Sequence, residues 1–398
     1  MAATREPLRG GGITLPTAAC RTFSTWRPSA CGSQADPRPA ARAPARRRKG
    51  VRMTVNEIRP AADPAQADPA QAAPAETGAA EPPVPGTGPG EAQAAATEAQ
   101  AAATAVRAAK RRRRVRGDGV DLAVYEQGDP SRPTVLLMHG YPDTHAVWDE
   151  VAERLADRFH VVRYDVRGAG ASSRPFGRRR YAFDYLMADL EAVLDATAPE
   201  KKVHLAGHDW GSIQGWEAVC TLPQRFASFT SISGPCLDHV AHWMRRRLRR
   251  PTPRNLRQAA GQTLRSWYIY LFQTPLLPEV LWRAGMARPF ARALEAGEGV
   301  TPRPGHPART LPRDGATGVN LYRANMRQRL RRPRERRTDV PTQVIVPTRD
   351  LFVSPHLVGG LAGRAPNLSL RTITAGHWVP RSHPDVIAEW IAEHVGVG

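Results

Sequence analysis

Five residues, Gly207-His208-Asp209-Trp210-Gly211, constrain the fold of this chain more than any others. A residue with a glycine two positions away on each side suits a turn too sharp for neighbouring side chains. Apolar Val203-His204-Leu205-Ala206 before it reads as a short buried strand. Ser212-Ile213-Gln214-Gly215-Trp216-Glu217-Ala218-Val219 after it reads as a helix. The segment is therefore a strand-to-helix elbow with a carboxylate where such elbows usually carry serine. An aspartate held there can attack carbon and form an alkyl ester. Taken alone, Asp209 also fits a helix N-cap, since Asp commonly opens helices.

The elbow sits within a long alternation of strands and helices. Further strands are expected at 122–126, 134–138, 160–165, 229–232, 343–346 and 368–373. Helices are expected at 146–158 and 183–196, near 356–361, and at 384–395. Thr134-Val135-Leu136-Leu137-Met138 is of the kind found in parallel sheets covered on both faces. The alternation predicts a doubly wound, mostly parallel α/β sheet. It stops near Gly234. From Pro235 to about Thr338 the chain is basic and rich in Trp, Leu and Pro, with helical spacing. A helical insertion between late strands reads as a lid over the strand ends, where such sheets bind ligands. The expected organisation is a disordered basic, Ala/Pro-rich extension over 1–116, core over 117–234 and 339–398, and the lid over 235–338.

Composition supports that division. The first 116 residues hold too few large apolar side chains to offset the entropy of ordering, apart from a transient helix expected in the Ala-rich 91–109. The net charge of +20 includes the clusters Arg46-Arg47-Arg48-Lys49 and Lys110-Arg111-Arg112-Arg113-Arg114. No aromatics are interleaved with them, so no specific nucleic-acid partner is expected. Weak contact with an anionic membrane surface through the Arg-rich segments is weighed against solvated tails, which the composition favours. Met53 is an alternative start. No apolar run suits a secretory signal or a transmembrane helix. Cys20, Cys31, Cys220 and Cys236 lack metal-ligand spacing, so no metal is expected, and a reducing, cytoplasmic setting fits.

Other parts of a hydrolytic site follow in order. Asp350 comes just after the strand at 343–346, in Pro347-Thr348-Arg349-Asp350, and His377 after the last strand, in Ala375-Gly376-His377-Trp378. A carboxylate-held histidine is poised as a base. Asp209 is already ionised, so His377 would activate water for a second step. Asp339 competes as the acid but precedes its strand. His139-Gly140-Tyr141-Pro142 follows the strand at 134–138, which would bring the backbone N–H groups of Tyr141 and Trp210 onto an ester oxygen. The order nucleophile, acid, histidine is that of the α/β-hydrolase fold.

Here the chain resembles a known family. His139-Gly140-Tyr141-Pro142, Gly207-His208-Asp209-Trp210-Gly211 and Gly376-His377-Trp378 resemble the motifs of α/β-hydrolase-fold epoxide hydrolases. Haloalkane dehalogenases share the first two. The resemblance implies two lid tyrosines that hydrogen-bond the epoxide oxygen. Ser266-Trp267-Tyr268-Ile269-Tyr270-Leu271-Phe272-Gln273 resembles the first-tyrosine segment, which assigns Tyr268, with Tyr270 as fallback. Asn320-Leu321-Tyr322-Arg323-Ala324-Asn325 resembles the second, which assigns Tyr322. The resemblance further implies substrate contacts from His139, Pro142, Trp267 and Trp378, no metal or organic cofactor, and a small epoxide substrate. Trp282 and the Leu276-Leu277 pair suggest that this epoxide is hydrophobic.

Over 117–395 the similarity is to the hydrolase half of proteins that fuse an epoxide hydrolase to a short-chain dehydrogenase. The chain departs from them by ending at Gly398, and no Gly-rich dinucleotide loop follows a strand, so no oxidoreductase activity is expected. The alternatives are a dehalogenase-like hydrolase and a non-catalytic ligand-binding protein of the same fold.

Overall fold

The computed structural model of the chain describes residues 110–397. Its strands are β1 (Arg111–Arg116), β2 (Asp121–Gln127), β3 (Thr134–Met138), β4 (His160–Tyr164), β5 (Val203–His208), β6 (Phe226–Ile232), β7 (Thr342–Pro347) and β8 (Leu368–Ile373). They form one sheet in the order β1-β2-β4-β3-β5-β6-β7-β8. The pairs β1–β2 and β2–β4 are antiparallel, and all others are parallel. The doubly wound α/β sheet expected from the alternation is therefore present. Its winding reverses around β3, which has β4 on one side and β5 on the other. Such a switch point opens a crevice at the carboxyl ends of its strands. Met138 pairs with Gly207 across it, so the loop after β3 and the elbow after β5 emerge side by side.

The core helices are α1 (Asp149–Leu155), α2 (Phe183–Thr197) and α3 (Trp210–Thr221). Between β6 and β7 come the lid helices α4 (Leu237–Arg249), α5 (Pro253–Arg265), α6 (Trp267–Gln273), α7 (Leu277–Leu281), α8 (Ala287–Glu298) and α9 (Leu311–Arg331). Helices α10 (Val379–Ser382) and α11 (Pro384–Val397) follow β8. Successive strand residues point to opposite faces, which explains why β3 is apolar throughout. Leu136 and Met138 join one core with Leu186, Leu190 and Leu194 of α2. Val135 and Leu137 join the other with Val151 of α1 and Ile387 and Ile391 of α11.

The structure corrects three sequence expectations. Ordered structure begins before residue 117, because the arginine run Arg111–Arg116 is an edge strand. Only Val115 is buried there. The arginines remain solvated while Arg113 pairs with Glu126 at 2.9 Å and Arg116 with Asp121 at 3.0 Å. Charge on an edge strand also discourages further strand pairing. The helix expected over 146–158 divides into a 3-10 turn, His145–Trp148, and α1. The helix expected near 356–361 is a pair of 3-10 turns, Pro355–Val358 and Leu361–Gly363. The Ala-rich 91–109, the cluster at 46–49 and Met53 lie outside the described residues. Among the described residues, no helix is long and apolar enough to cross a membrane.

Candidate active site

Asp209 sits between β5 and α3 with φ 51° and ψ −119°. L residues avoid positive φ, and such strain persists only where the surroundings impose it. Here the Asp209 N–H donates to the Ile232 carbonyl at 3.0 Å, and its own carbonyl accepts from Ile213 N–H at 2.9 Å. The flanking glycines are required by space. A Cβ on Gly207 would lie 2.5 Å from the Gly211 oxygen, and one on Gly211 only 2.1 Å from the Met138 oxygen. Asp209 holds the N-cap place of α3, but its side chain makes no capping hydrogen bond. Its Oδ1 instead accepts the Tyr141 N–H at 2.7 Å. The Trp210 N–H opens α3 and has no preceding carbonyl in the helix to bond. Of the two amides expected to serve one oxygen, that of Tyr141 thus meets this carboxylate, and that of Trp210 follows Asp209 directly in the chain.

His377 and Asp350 come from the loops after β8 and β7. The His377 Nδ1–H donates to Asp350 Oδ2 at 2.9 Å, which leaves Nε2 facing Asp209 Oδ2 at 3.6 Å. The other Asp350 oxygen accepts the Phe352 and Val353 amides at 2.7 and 2.9 Å. Burial opposes charge on both side chains. For Asp350 the neighbouring His377 and the two amides outweigh burial and hold the carboxyl below its ordinary range. For His377 the Asp350 and Asp209 carboxylates outweigh it and hold the imidazolium well above the usual histidine range. Asp339, which precedes β7, is exposed at the other end of the sheet.

The lid completes the site. Tyr268 of α6 and Tyr322 of α9 lie with ring centroids 5.9 Å apart, and both line two cavities that also contain Asp209. One cavity, about 220 Å³, is aromatic and includes Pro142, Trp267, His377 and Trp378. The other, about 1300 Å³, leads outward between α4, α5 and α9. Burial pushes both phenols far above their ordinary range, so each remains a protonated donor. Tyr270 is 66% exposed and fits the first-tyrosine place less well than Tyr268.

One residue expected at the substrate, His139, lies in a separate small recess with Tyr141 and Trp210. His139 does not line either of these two cavities. Val166 N–H donates to its Nε2 at 2.9 Å, so Nδ1 carries the proton and donates to the Gly140 carbonyl at 2.8 Å. His139 is thus a brace that shapes the turn presenting Tyr141. Some neighbours escaped the sequence reading. Phe352 lines both cavities, with its ring 4.9 Å from His377 and 5.5 Å from Tyr268. Its place two residues after Asp350 was the available signal. Asp143 accepts from Trp378 Nε1 at 2.9 Å and pairs with the lid residue His306 at 3.0 Å. No local signal links those three positions. His208 Nε2 donates to the His377 carbonyl at 2.9 Å and so fixes the histidine loop against the elbow.

The chain belongs to the alpha/beta hydrolase fold family, whose sequence pattern matches residues 133–384. It is 41% identical over 278 residues to the Probable oxidoreductase EphD of Mycobacterium tuberculosis, covering 68% of this chain and 47% of that one. It is 34% identical over 183 residues to Epoxide hydrolase A of the same organism, covering 46% of this chain and 53% of the relative. The chain thus spans about half the length of the curated relatives it matches. A Bacillus megaterium epoxide hydrolase solved with an inhibitor superposes with TM-score 0.61 at 21% identity, covering 71% of this chain and all of the other, a likeness of fold.

Proposed function

We propose that this protein is an epoxide hydrolase, opening a hydrophobic epoxide to a diol through an ester on Asp209. The observation that carries the reading is a carboxylate at the elbow, one oxygen held by an amide, facing two buried phenols across a cavity. Asp209 Oδ2 attacks a ring carbon while Tyr268 and Tyr322 donate to the ring oxygen as it becomes an alkoxide. Oδ1, already bound to Tyr141 N–H, becomes the ester carbonyl oxygen.

Esterification removes the Asp209 charge, one of the causes that hold the His377 proton. His377 then gives up that proton, balancing the one taken by the alkoxide, and is free to act as base. It accepts a proton from a water that attacks the ester carbonyl, and Asp350 keeps the ring oriented. The Tyr141 and Trp210 amides hold the oxyanion, and the diol leaves with the original Asp209 oxygen. The names of the relatives support this reading. We place the chain with the hydrolase half of epoxide hydrolase–dehydrogenase fusions, on the 278 residues that match 47% of a relative named an oxidoreductase. A cytoplasmic setting is part of this reading and rests on the free thiols Cys220 and Cys236.

Halide displacement is the second reading. It is favoured by the buried Trp210 indole N–H, which lies against Tyr322 and would be a donor for a halide at the same place. The phenol pair argues for oxygen as the leaving atom. Chloroalkane turnover without diol from any epoxide would select the second reading. Asp209→Ala should abolish turnover, and a single turnover in ¹⁸O-water should leave label in the Asp209 carboxylate. Label in the diol from that first turnover would mean direct attack by water and would overturn the ester.

A further inference from the structure

Charge is divided unequally between lid and core. Residues 235–338 hold 22 arginines and no lysine against six acidic residues, whereas 117–234 and 339–398 together hold 16 basic against 22 acidic residues. The exposed apolar surface is divided the same way. Of thirteen large apolar side chains that stand exposed among the described residues, ten belong to the lid. A soluble surface scatters such residues singly, and clustering marks a contact site.

The two features meet at the mouth of the 1300 Å³ cavity. Asp209, Tyr268 and Tyr322 line its interior, while exposed Leu248, Leu256, Leu264 and Leu330 stand with Arg245, Arg327 and Arg331 at its opening. Among the described residues, the lid's ion pairs involve none of these three arginines. Beside this opening a second recess, about 560 Å³, shares Arg245 and adds Arg246, Arg249, Arg250 and Arg364. Exposed Trp267, Leu276 and Leu277 extend the apolar surface along α6 and α7.

We infer that this face of the lid docks on an anionic lipid bilayer, so that the cavity opens against the membrane and an apolar substrate enters from it. Leucines beside arginines are the composition of surfaces that lie in a lipid interface. The apolar side chains enter the headgroup boundary and the cations meet anionic headgroups. A nucleic acid would use the arginines and leave the aliphatic leucines in water. The docking itself does not depend on the reaction. Only the delivery of an epoxide rests on the function proposed above.

The test uses the full chain and sedimentation with vesicles of phosphatidylcholine alone, or of equal parts phosphatidylcholine and phosphatidylglycerol. Binding should require phosphatidylglycerol and weaken as salt rises. Arg245→Gln, Arg327→Gln and Arg331→Gln combined should lower partitioning on the order of a hundredfold. Lys201→Gln, Lys202→Gln and Arg158→Gln remove the same charge from the core and should change it far less. Leu248→Ser with Leu264→Ser should abolish the binding that persists at high salt. Equal thermal midpoints would show that the variants are folded.

Three results would overturn the inference. One is binding without preference for the anionic lipid. Another is undiminished binding by the arginine variant, which would assign the affinity to the basic N-terminal residues. The third is self-association through the leucines in the absence of vesicles. A chain that binds these vesicles but opens no epoxide would keep the docking and lose the reaction.

Discussion

Replacing His377 by Gln separates the two halves of the proposed reaction. The first half needs the Asp209 carboxylate and the lid phenols, and no base. The second needs a proton acceptor for water. His377 Nε2 lies 3.6 Å from Asp209 Oδ2, so a water attacking the ester carbonyl would be within its reach. A general base contributes about 10²–10⁴ in rate, and ester hydrolysis should slow by that factor while ester formation continues. The ester should therefore accumulate to near one equivalent per chain. The variant also leaves Asp209 and Asp350 as buried carboxylates without their shared cation. Breaking a buried pair costs about 3–5 kcal/mol, and the Gln amide offsets part of this. The assay temperature should be set below the lowered unfolding midpoint. After mixing with excess epoxide, intact-mass measurement should show a gain equal to the whole epoxide, since ring opening has no leaving group. Halide displacement would add only the alkyl group. Adding Asp209→Ala should remove the adduct. Diol production at the parental rate, or an adduct that survives without Asp209, would refute the reasoning.

Tyr268→Phe or Tyr322→Phe should each lower the rate of ester formation about 10²–10³-fold, read by quenched single turnover. The double variant should lose less than the product of the two, because both serve one oxygen. An active double variant would remove the lid phenols from the mechanism. His377 keeps its proton well above the usual range in the folded chain. Its stabilising contribution is therefore full below about pH 6.5 and is lost as pH rises through the folded value. The thermal midpoint of the parent should exceed that of His377→Gln most at weakly acidic pH, with a gap that narrows toward alkali; a widening gap would reverse the assigned sign. Gly211→Ala places a methyl 2.1 Å from the Met138 carbonyl oxygen. It should yield little folded protein, and a normal thermal midpoint would contradict the steric account.

Most of the sheet could be read from local pattern because each strand carries its own periodicity. The parallel strands β3, β5 and β7 are buried on both faces and carry short apolar runs, and α2 repeats Leu186, Leu190 and Leu194. Where such a signal was weak or misleading, the reading failed. The arginine run Arg111–Arg116 carries the composition of a disordered tail, and it is ordered by pairing with β2, fifteen or fewer residues further on. His139 belongs to a motif whose roles are shared between substrate contact and turn geometry. Only the Val166 amide at its Nε2 separates the two.

The sequence by itself determined the strand–helix alternation, the elbow with its glycines and the identity of the carboxylate, because these depend on neighbours in the chain. It also held the excess of lid arginine, which is a matter of composition. The tertiary structure decided which distant groups meet. Tyr141 reaches Asp209 because β3 and β5 are adjacent at the switch point, and His377 reaches it through loops on β7 and β8. Tyr268 and Tyr322 share a cavity, and leucines meet arginines at its mouth, only because α4, α5, α6 and α9 pack over the strand ends. Local pattern does not encode these meetings, since the residues involved are brought together by sheet order and helix packing.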